Sequence, residues 1–254
     1  MSNTAEGEHG TVIVTGASRG IGAAIATELG EAGYGVVVNY SSHPEPAEEV
    51  AADIRAHGGR ASAMHADVSE PDEVADMFER AERELGPLTA LVNNAGTTGA
   101  PAPFDIQEPT GLSRLLAINV LGPMVCARHA VHTMSTSHGG RGGSIVNIAS
   151  VAARTGGLPG LVPYAATKGA LISFSRALSN EVASEGIRVN SVSPGIIATD
   201  MTADLDNPET KEAVAHSPIG RFGRPGEIAD TVTWLISPAA SFVTGSDIAV
   251  SGGR

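Results

Sequence analysis

The sequence has one cysteine, Cys126, in 254 residues. A disulfide within the chain is excluded, and this usage suits a reducing, cytoplasmic setting. The neighbours Leu121, Met124 and Val125 give the thiol apolar company, which points to a core position rather than a nucleophile. Positive charge is scarce too: 16 Lys and Arg stand against 28 Asp and Glu, a net charge of −12. That balance argues against nucleic acid or an anionic membrane as the main partner, and leaves room for a local phosphate site. No run approaches a transmembrane span, and the polar, acidic stretch 1–10 has no apolar signal region, so it reads as a short disordered lead. No internal repeat, low-complexity linker or break in composition divides the rest, and one domain over 11–254 accounts for it. No cluster has metal-ligand spacing; His129 and His132 are three residues apart but lack a third ligand.

What is present is an alternation of strands and helices. Apolar, β-rich runs predict strands over 11–15, 35–40, 60–65, 89–93, 143–149, 187–193 and 247–250. Helical patterns fall between them, including a long one over 110–135 and one opening at Pro71 with Ser69 placed as its N-cap. Continuous apolar strands suit a parallel sheet covered on both faces. The expected fold is α/β: a Rossmann-type, doubly wound, parallel seven-stranded sheet with helices on both faces.

The first chemical signal lies between the first strand and the first helix, in Thr15-Gly16-Ala17-Ser18-Arg19-Gly20-Ile21-Gly22. Glycines there let the backbone turn tightly and approach a pyrophosphate, whose charge meets a helix N-terminus. The next turn bears on which dinucleotide. A site for NAD usually offers an acid after the second strand, to accept from the ribose 2′-hydroxyl. Here the strand ends Asn39-Tyr40-Ser41-Ser42, with no carboxylate before Glu45. Arg19 can supply positive charge and the serine hydroxyls can donate. NADP(H) is therefore the preferred cofactor, with NAD(H) possible.

A second signal is Tyr164 and Lys168, four residues apart in Val162-Pro163-Tyr164-Ala165-Ala166-Thr167-Lys168. On a helix they stand one turn apart on one face. An ammonium beside a phenol favours the phenolate and should lower its pKa, making Tyr164 a general acid/base. Further motifs follow in order: Leu91-Val92-Asn93-Asn94-Ala95-Gly96, Asn119 within Ile118-Asn119-Val120, Ser150 closing 144–150, and Ser193-Pro194-Gly195. Together with the glycine turn they resemble the short-chain dehydrogenase/reductases over essentially the whole chain, closest in flavour to 3-oxoacyl-carrier-protein reductases and glucose dehydrogenase-like members.

The resemblance implies an enzyme that moves hydride between a nicotinamide and a carbonyl or alcohol. It makes Tyr164 the proton donor, Lys168 the residue that tunes it and bonds the nicotinamide ribose, Ser150 the hydroxyl on the substrate oxygen, and Asn119 the holder of a relay water. It places Asp67 and Val68 at the adenine, Asn94, Ala95 and Gly96 under the adenosine ribose, and Pro194, Gly195, Ile197 and Thr199 over the nicotinamide. One departure is Ser251-Gly252-Gly253, where Asp-Gly-Gly is more usual. The loop from Ser150 to Tyr164 and a lid over about 199–219 should wall the substrate pocket, with His216 and Arg154 either touching substrate or solvated. Relatives imply a homotetramer or a homodimer. The rival reading is a catalytically silent, dinucleotide-sensing regulator on the same fold.

Overall fold

The structure is a computed structural model that describes residues 9–199, 208–215 and 217–254. Most of the expected disordered lead, the lid segment 200–207 and His216 lie outside the described residues. Seven strands, β1 (Thr11–Val14), β2 (Gly35–Tyr40), β3 (Arg60–His65), β4 (Leu88–Asn93), β5 (Gly143–Ile148), β6 (Ile187–Pro194) and β7 (Asp247–Val250), form one sheet. Their order is β3-β2-β1-β4-β5-β6-β7, and every pairing is parallel. The winding reverses between β1 and β4. In such sheets the crevice for ligands opens at that point, beyond the carboxyl ends of the strands.

The helices in chain order are α1 (Gly20–Glu31), α2 (Pro44–Ala56), α3 (Pro71–Leu85), α4 (Pro109–Leu116), α5 (Gly122–Met134), α6 (Ala152–Thr155), α7 (Val162–Val182), α8 (Pro208–Ala215) and α9 (Pro225–Ile236). Alternate strand residues serve opposite faces. Val12, Val14, Val36, Val38, Val92 and Val146 pack under α1, α2 and α9 through Ile25, Leu29, Ile54, Ile228 and Leu235. Ile13, Val37, Leu91, Ile145 and Val189 pack on the other face against Met77, Phe78, Cys126, Ala130 and Val182. Each fully buried branched side chain contributes about 1.5–3 kcal/mol of transfer free energy, so unbroken apolar strands serve a sheet covered on both sides. Cys126 lies in this core, and burial pushes its thiol up to about 12.

Three expectations need correction. Ser69 does not cap α3: the N-cap is Glu70, without a side-chain bond, and the Ser69 amide and hydroxyl both donate to Asp67 Oδ1, at 2.9 and 2.7 Å. The helix expected over 110–135 changes register, because Ala117–Leu121 is a π-helical turn between α4 and α5 in which the Gly122 amide donates to the Ala117 carbonyl. Pro123 explains the change, since it has no N–H to offer the Asn119 carbonyl four residues back. The statement that no run approaches a transmembrane span also fails. Pro109–Met134 is 26 residues long, with mean hydropathy 1.3 in its most apolar stretch, and by length and composition could cross a membrane. Its apolarity has two sources: Cys126, Ala127, Ala130 and Met134 are buried, while Leu116, Leu121 and Met124 are exposed.

Candidate active site

The glycine turn is held by side chains from the neighbouring strands. Thr15 Oγ1 accepts from the Asn94 and Ala95 amides, both at 3.0 Å, and Asn94 Nδ2 donates to the Thr15 and Gly16 carbonyls at 2.9 Å. Asn39, buried at the end of β2, accepts the Gly16 amide at 3.0 Å and donates to the Met64 and Ala66 carbonyls at 3.2 and 3.0 Å. Gly16 and Gly20 have φ of 61° and 58°, left-handed values that favour glycine. A Cβ on Gly22 would stand 2.4 Å from the Gly16 carbonyl oxygen and 2.5 Å from Asn94 Nδ2, so nothing larger fits.

α1 begins with extended Arg19 as its N-cap, with no side-chain cap bond and no acid in its first turn. The first amides of a helix have no intrahelical partner, and the N-cap side chain supplies none. An uncapped helix N-terminus behind a tight glycine turn fits an anionic pyrophosphate on both geometry and charge. Ser18 and Gly20 are half-buried, Ile21 packs on the core, and Arg19 is exposed and forms no ion pair among the described residues.

Past β2, Ser41 is exposed, with its carbonyl 3.3 Å from His65 Nε2. Asp67 is more committed than its position in the sequence implied. Besides Ser69, Arg114 on α4 reaches its Oδ2 at 2.7 Å, and the Asp67 amide donates to Glu73 at 2.7 Å. Burial pushes the Asp67 carboxyl up, but the bonds from Ser69 and Arg114 outweigh it and hold it below the usual carboxylate range. Val68 is buried against Gly122, where a Cβ would come within 2.9 Å of it.

The polar groups of the second half come from separate elements. Ser150 follows β5 and its Oγ accepts the Ala152 amide at 3.1 Å. Tyr164 and Lys168 lie one turn apart on α7. Lys168 Nζ donates to the Ile148 carbonyl at 2.7 Å and lies 5.7 Å from the centre of the Tyr164 ring. Asn119, buried in the π turn, accepts the Thr97 amide at 2.9 Å and donates to the Thr97 carbonyl at 2.8 Å and to Thr167 Oγ1 at 3.1 Å. A Cβ on Gly96 would sit 3.4 Å from Asn119 Oδ1 and 3.5 Å from Lys168 Nζ, so the turn after β4, the π turn and α7 converge here. Beneath them, Asn93 donates to Asn147 and Asn147 to Ser175, both at 2.8 Å, which ties β4, β5 and α7 together in the core.

The electrostatics depart from expectation. Burial raises the Tyr164 phenol above its ordinary pKa, and the Ser150 hydrogen bond only partly counters it. Burial also lowers Lys168, to about 8. The expected depression of Tyr164 by Lys168 is therefore absent from the protein's own groups: the ammonium is desolvated and stands over the ring face rather than against the hydroxyl.

The end of β6 and the residues after it are tied to the neighbouring turns. The Pro194 carbonyl accepts the Val151 amide at 3.1 Å, and the Gly195 amide donates to the Val250 carbonyl at 3.0 Å. A Cβ on Gly195 would meet Ser251 Cα at 2.8 Å. Ile197 is buried and bridges to Gly223, and the Thr199 methyl lies 3.4 Å from where a Cβ on Gly20 would be. Ser251, the departure at the C-terminus, donates to the Arg254 carbonyl at 2.9 Å and shapes that turn. The stretch between Ser150 and Tyr164 is not all loop, since it contains α6, and its Arg154 is exposed, as one of the two expectations had it, and ion-paired to Asp247. Facing it, the Ala102 amide donates to the Gly160 carbonyl at 3.3 Å and Gln107 Nε2 to the Ala102 carbonyl at 3.0 Å.

A parallel sheet of this order, with a glycine turn at its switch point, places the chain in the Rossmann class. The family described as enoyl-(acyl carrier protein) reductase matches residues 16–254. The uncharacterized oxidoreductase YgfF of Escherichia coli K12 is 43% identical over 243 residues, 95% of this chain and 98% of the relative. The 3-oxoacyl-[acyl-carrier-protein] reductase FabG of Staphylococcus aureus Mu50 is 39% identical over 243 residues, 96% and 97% of the two chains. The solved structure of a blue fluorescent protein from a metagenomic library, in complex with NADPH, superposes with a TM-score of 0.89 at 35% identity, covering 97% of this chain and 98% of that one. The chain belongs to the short-chain dehydrogenase/reductase family and is an oxidoreductase of the dehydrogenase/reductase kind.

Proposed function

We propose that the chain is an NADP(H)-dependent enzyme that reduces a ketone or aldehyde to an alcohol, or runs the reverse, through Tyr164, Ser150, Lys168 and Asn119. The observation that carries the reading is Lys168, buried on the Ile148 carbonyl and over the Tyr164 ring at the strand end that Ser150 follows, with a glycine turn without a side-chain cap at the same edge of the sheet. Gly16, Ser18, Gly20, Ile21 and Gly22 would hold the pyrophosphate. Asn94, Ala95 and Gly96 would lie under the ribose, Asp67 and Val68 at the adenine, and Pro194, Gly195, Ile197 and Thr199 over the nicotinamide. Exposed Arg19, the Ser41 hydroxyl and the lack of an acid at the end of β2 favour a 2′-phosphate, so NADP(H) is preferred and NAD(H) is possible.

When bound, the dinucleotide supplies the hydride. Ser150 and Tyr164 donate to the carbonyl oxygen, and Tyr164 gives that oxygen its proton. Lys168, held on the Ile148 carbonyl, would bond the nicotinamide ribose. Asn119 locks Thr97 and Thr167 around it and, with water, completes the route that returns the proton to Tyr164. The likeness to FabG supports a 3-oxoacyl thioester as substrate, with sugars or other small carbonyls as the competing class.

Residues 11–254 act as one unit with 199–219 as its lid. The exposed Leu116, Leu121, Trp234 and Phe242 support self-association to a homotetramer or homodimer, which light scattering distinguishes. A single buried cysteine fits a cytoplasmic setting. NADPH oxidation over a panel of acyl thioesters, sugars, steroids and small ketones tests the reading. Turnover that vanishes in Tyr164→Phe, with NADPH binding retained, is the expected result. Tight NADPH binding without turnover on any carbonyl would instead favour a silent dinucleotide sensor.

A further inference from the structure

We infer that Arg154 is a positioning residue, whose ion pair with Asp247 holds α6 so that the Ser150 hydroxyl is aimed at Tyr164; this rests on the reading of those two hydroxyls as the working pair. α6 is a short piece of helix in the wall of the pocket. Its opening residue, Ala152, donates its amide to Ser150 Oγ at 3.1 Å. A serine hydroxyl has one proton to give, and an amide lodged on its lone pair directs that proton elsewhere. Where α6 sits therefore decides where the Ser150 proton points.

What fixes α6 is a carboxylate on a different strand. Asp247 opens β7 and its side chain is only 11% exposed, against 51% for Arg154. Oδ1 of Asp247 accepts from the Ser191 and Ser193 hydroxyls on β6, at 2.9 and 2.7 Å, while Oδ2 takes the Arg154 guanidinium. The same guanidinium reaches the Asp247 carbonyl at 3.3 Å. Half-exposed ion pairs are usually weak, because both partners must be ordered in water. Here one partner is ordered already by two hydroxyls, so only the arginine gives up freedom. Ser193 also precedes Pro194, whose carbonyl accepts the Val151 amide, so the chain after Ser150 is fastened to β6 just before α6 and to β7 from within it. The path runs from Asp247 through Arg154, α6 and the Ala152 amide to Ser150 and Tyr164.

The test uses the full chain with NADPH and the best carbonyl from the panel, in Arg154→Met, Arg154→Lys, Asp247→Asn, the Arg154→Met/Asp247→Asn double variant and Tyr164→Phe. We expect kcat to fall about tenfold in Arg154→Met and in Asp247→Asn, the size of loss that small misplacements of a reacting group produce. The double variant should lose little more than either single one, and Arg154→Lys should recover most of the rate. The Kd for NADPH should not change. The ionisation of Tyr164 in the pH profile of kcat should move upward, because the Ser150 hydrogen bond holds that phenol down. A kcat for Arg154→Met within about twofold of wild type, or singles that multiply in the double variant, would overturn the inference. So would a loss of rate that tracks a lower Tm with an unmoved pH profile. Turnover that survives in Tyr164→Phe would instead overturn the reading of the site itself, whatever Arg154 does.

Discussion

The two halves of the crevice are built on opposite plans. In the half proposed to hold phosphate, the proposed contacts are backbone amides at the start of α1, and side chains serve as scaffolding. Thr15, Asn39 and Asn94 spend their hydrogen bonds on the Gly16 turn and on the carbonyls at the ends of β1, β3 and β4. In the half proposed for catalysis the reverse holds, since Ser150, Tyr164 and Lys168 are side chains brought together from the exit of β5 and from α7, with backbone as support. The difference teaches where each half is vulnerable. Replacing a side chain in the first half should distort a surface that still exists, whereas in the second half it should delete the chemistry.

The sharpest way to break this contrast is Tyr164→Phe. It should lower kcat by about 10²–10⁴-fold, the range of a general acid, with the NADPH Kd unchanged in a fluorescence titration. Next comes Lys168, through the pH dependence of stability. Its folded pKa, about 8, lies below the ordinary lysine value, so between about 8 and 10.5 the unfolded chain binds more protons and stability rises with pH. Below that window the cost of burying the ammonium is carried in full, at about 3 kcal/mol. Thermal melts from pH 7 to pH 10 should therefore show wild type gaining on Lys168→Met. Parallel curves for the two proteins would mean that the lysine is not desolvated as the structure has it.

In the phosphate half, Gly22→Ala should cost about 1–3 kcal/mol of stability and weaken NADPH binding, while kcat at saturating cofactor stays near wild type. Asn39→Ala, which strands the Gly16 amide and two carbonyls, should behave likewise at about 1–3 kcal/mol by denaturant titration. A collapse of kcat in either variant, with cofactor saturating, would erase the distinction between the halves. The smallest effect should be that of Arg19→Ala. We expect about a tenfold weaker NADPH Kd at low salt, about the strength of one charge-assisted bond, with NADH barely affected and the gap closing as salt is added.

Much of this molecule was legible from local pattern. The seven strands fell within a residue of their observed ends, because apolar strands covered on both faces leave an unambiguous run. The placement of Tyr164 and Lys168 on one helical face needed only their spacing. The π turn at Asn119 was less visible, although Pro123 four residues on is a signal that could have been used. Asn39 stood in plain view at a strand end, but its three strand-end partners lie elsewhere in the sequence. The exposure of Arg154 was legible but its pairing was not, because Asp247 is 93 residues away and no spacing rule spans such a gap.

Period and punctuation thus settle the order of elements, the glycine turn and the helical face that carries the phenol and the amine, since each depends on neighbours within a turn or a strand. Folding decides the rest: that Lys168 is dry enough to approach neutrality, that Tyr164 is raised rather than lowered, and that Asp67 and Arg154 have charged partners. Desolvation and long-range pairing depend on what surrounds a group in space, and that is set only once the sheet has closed around it.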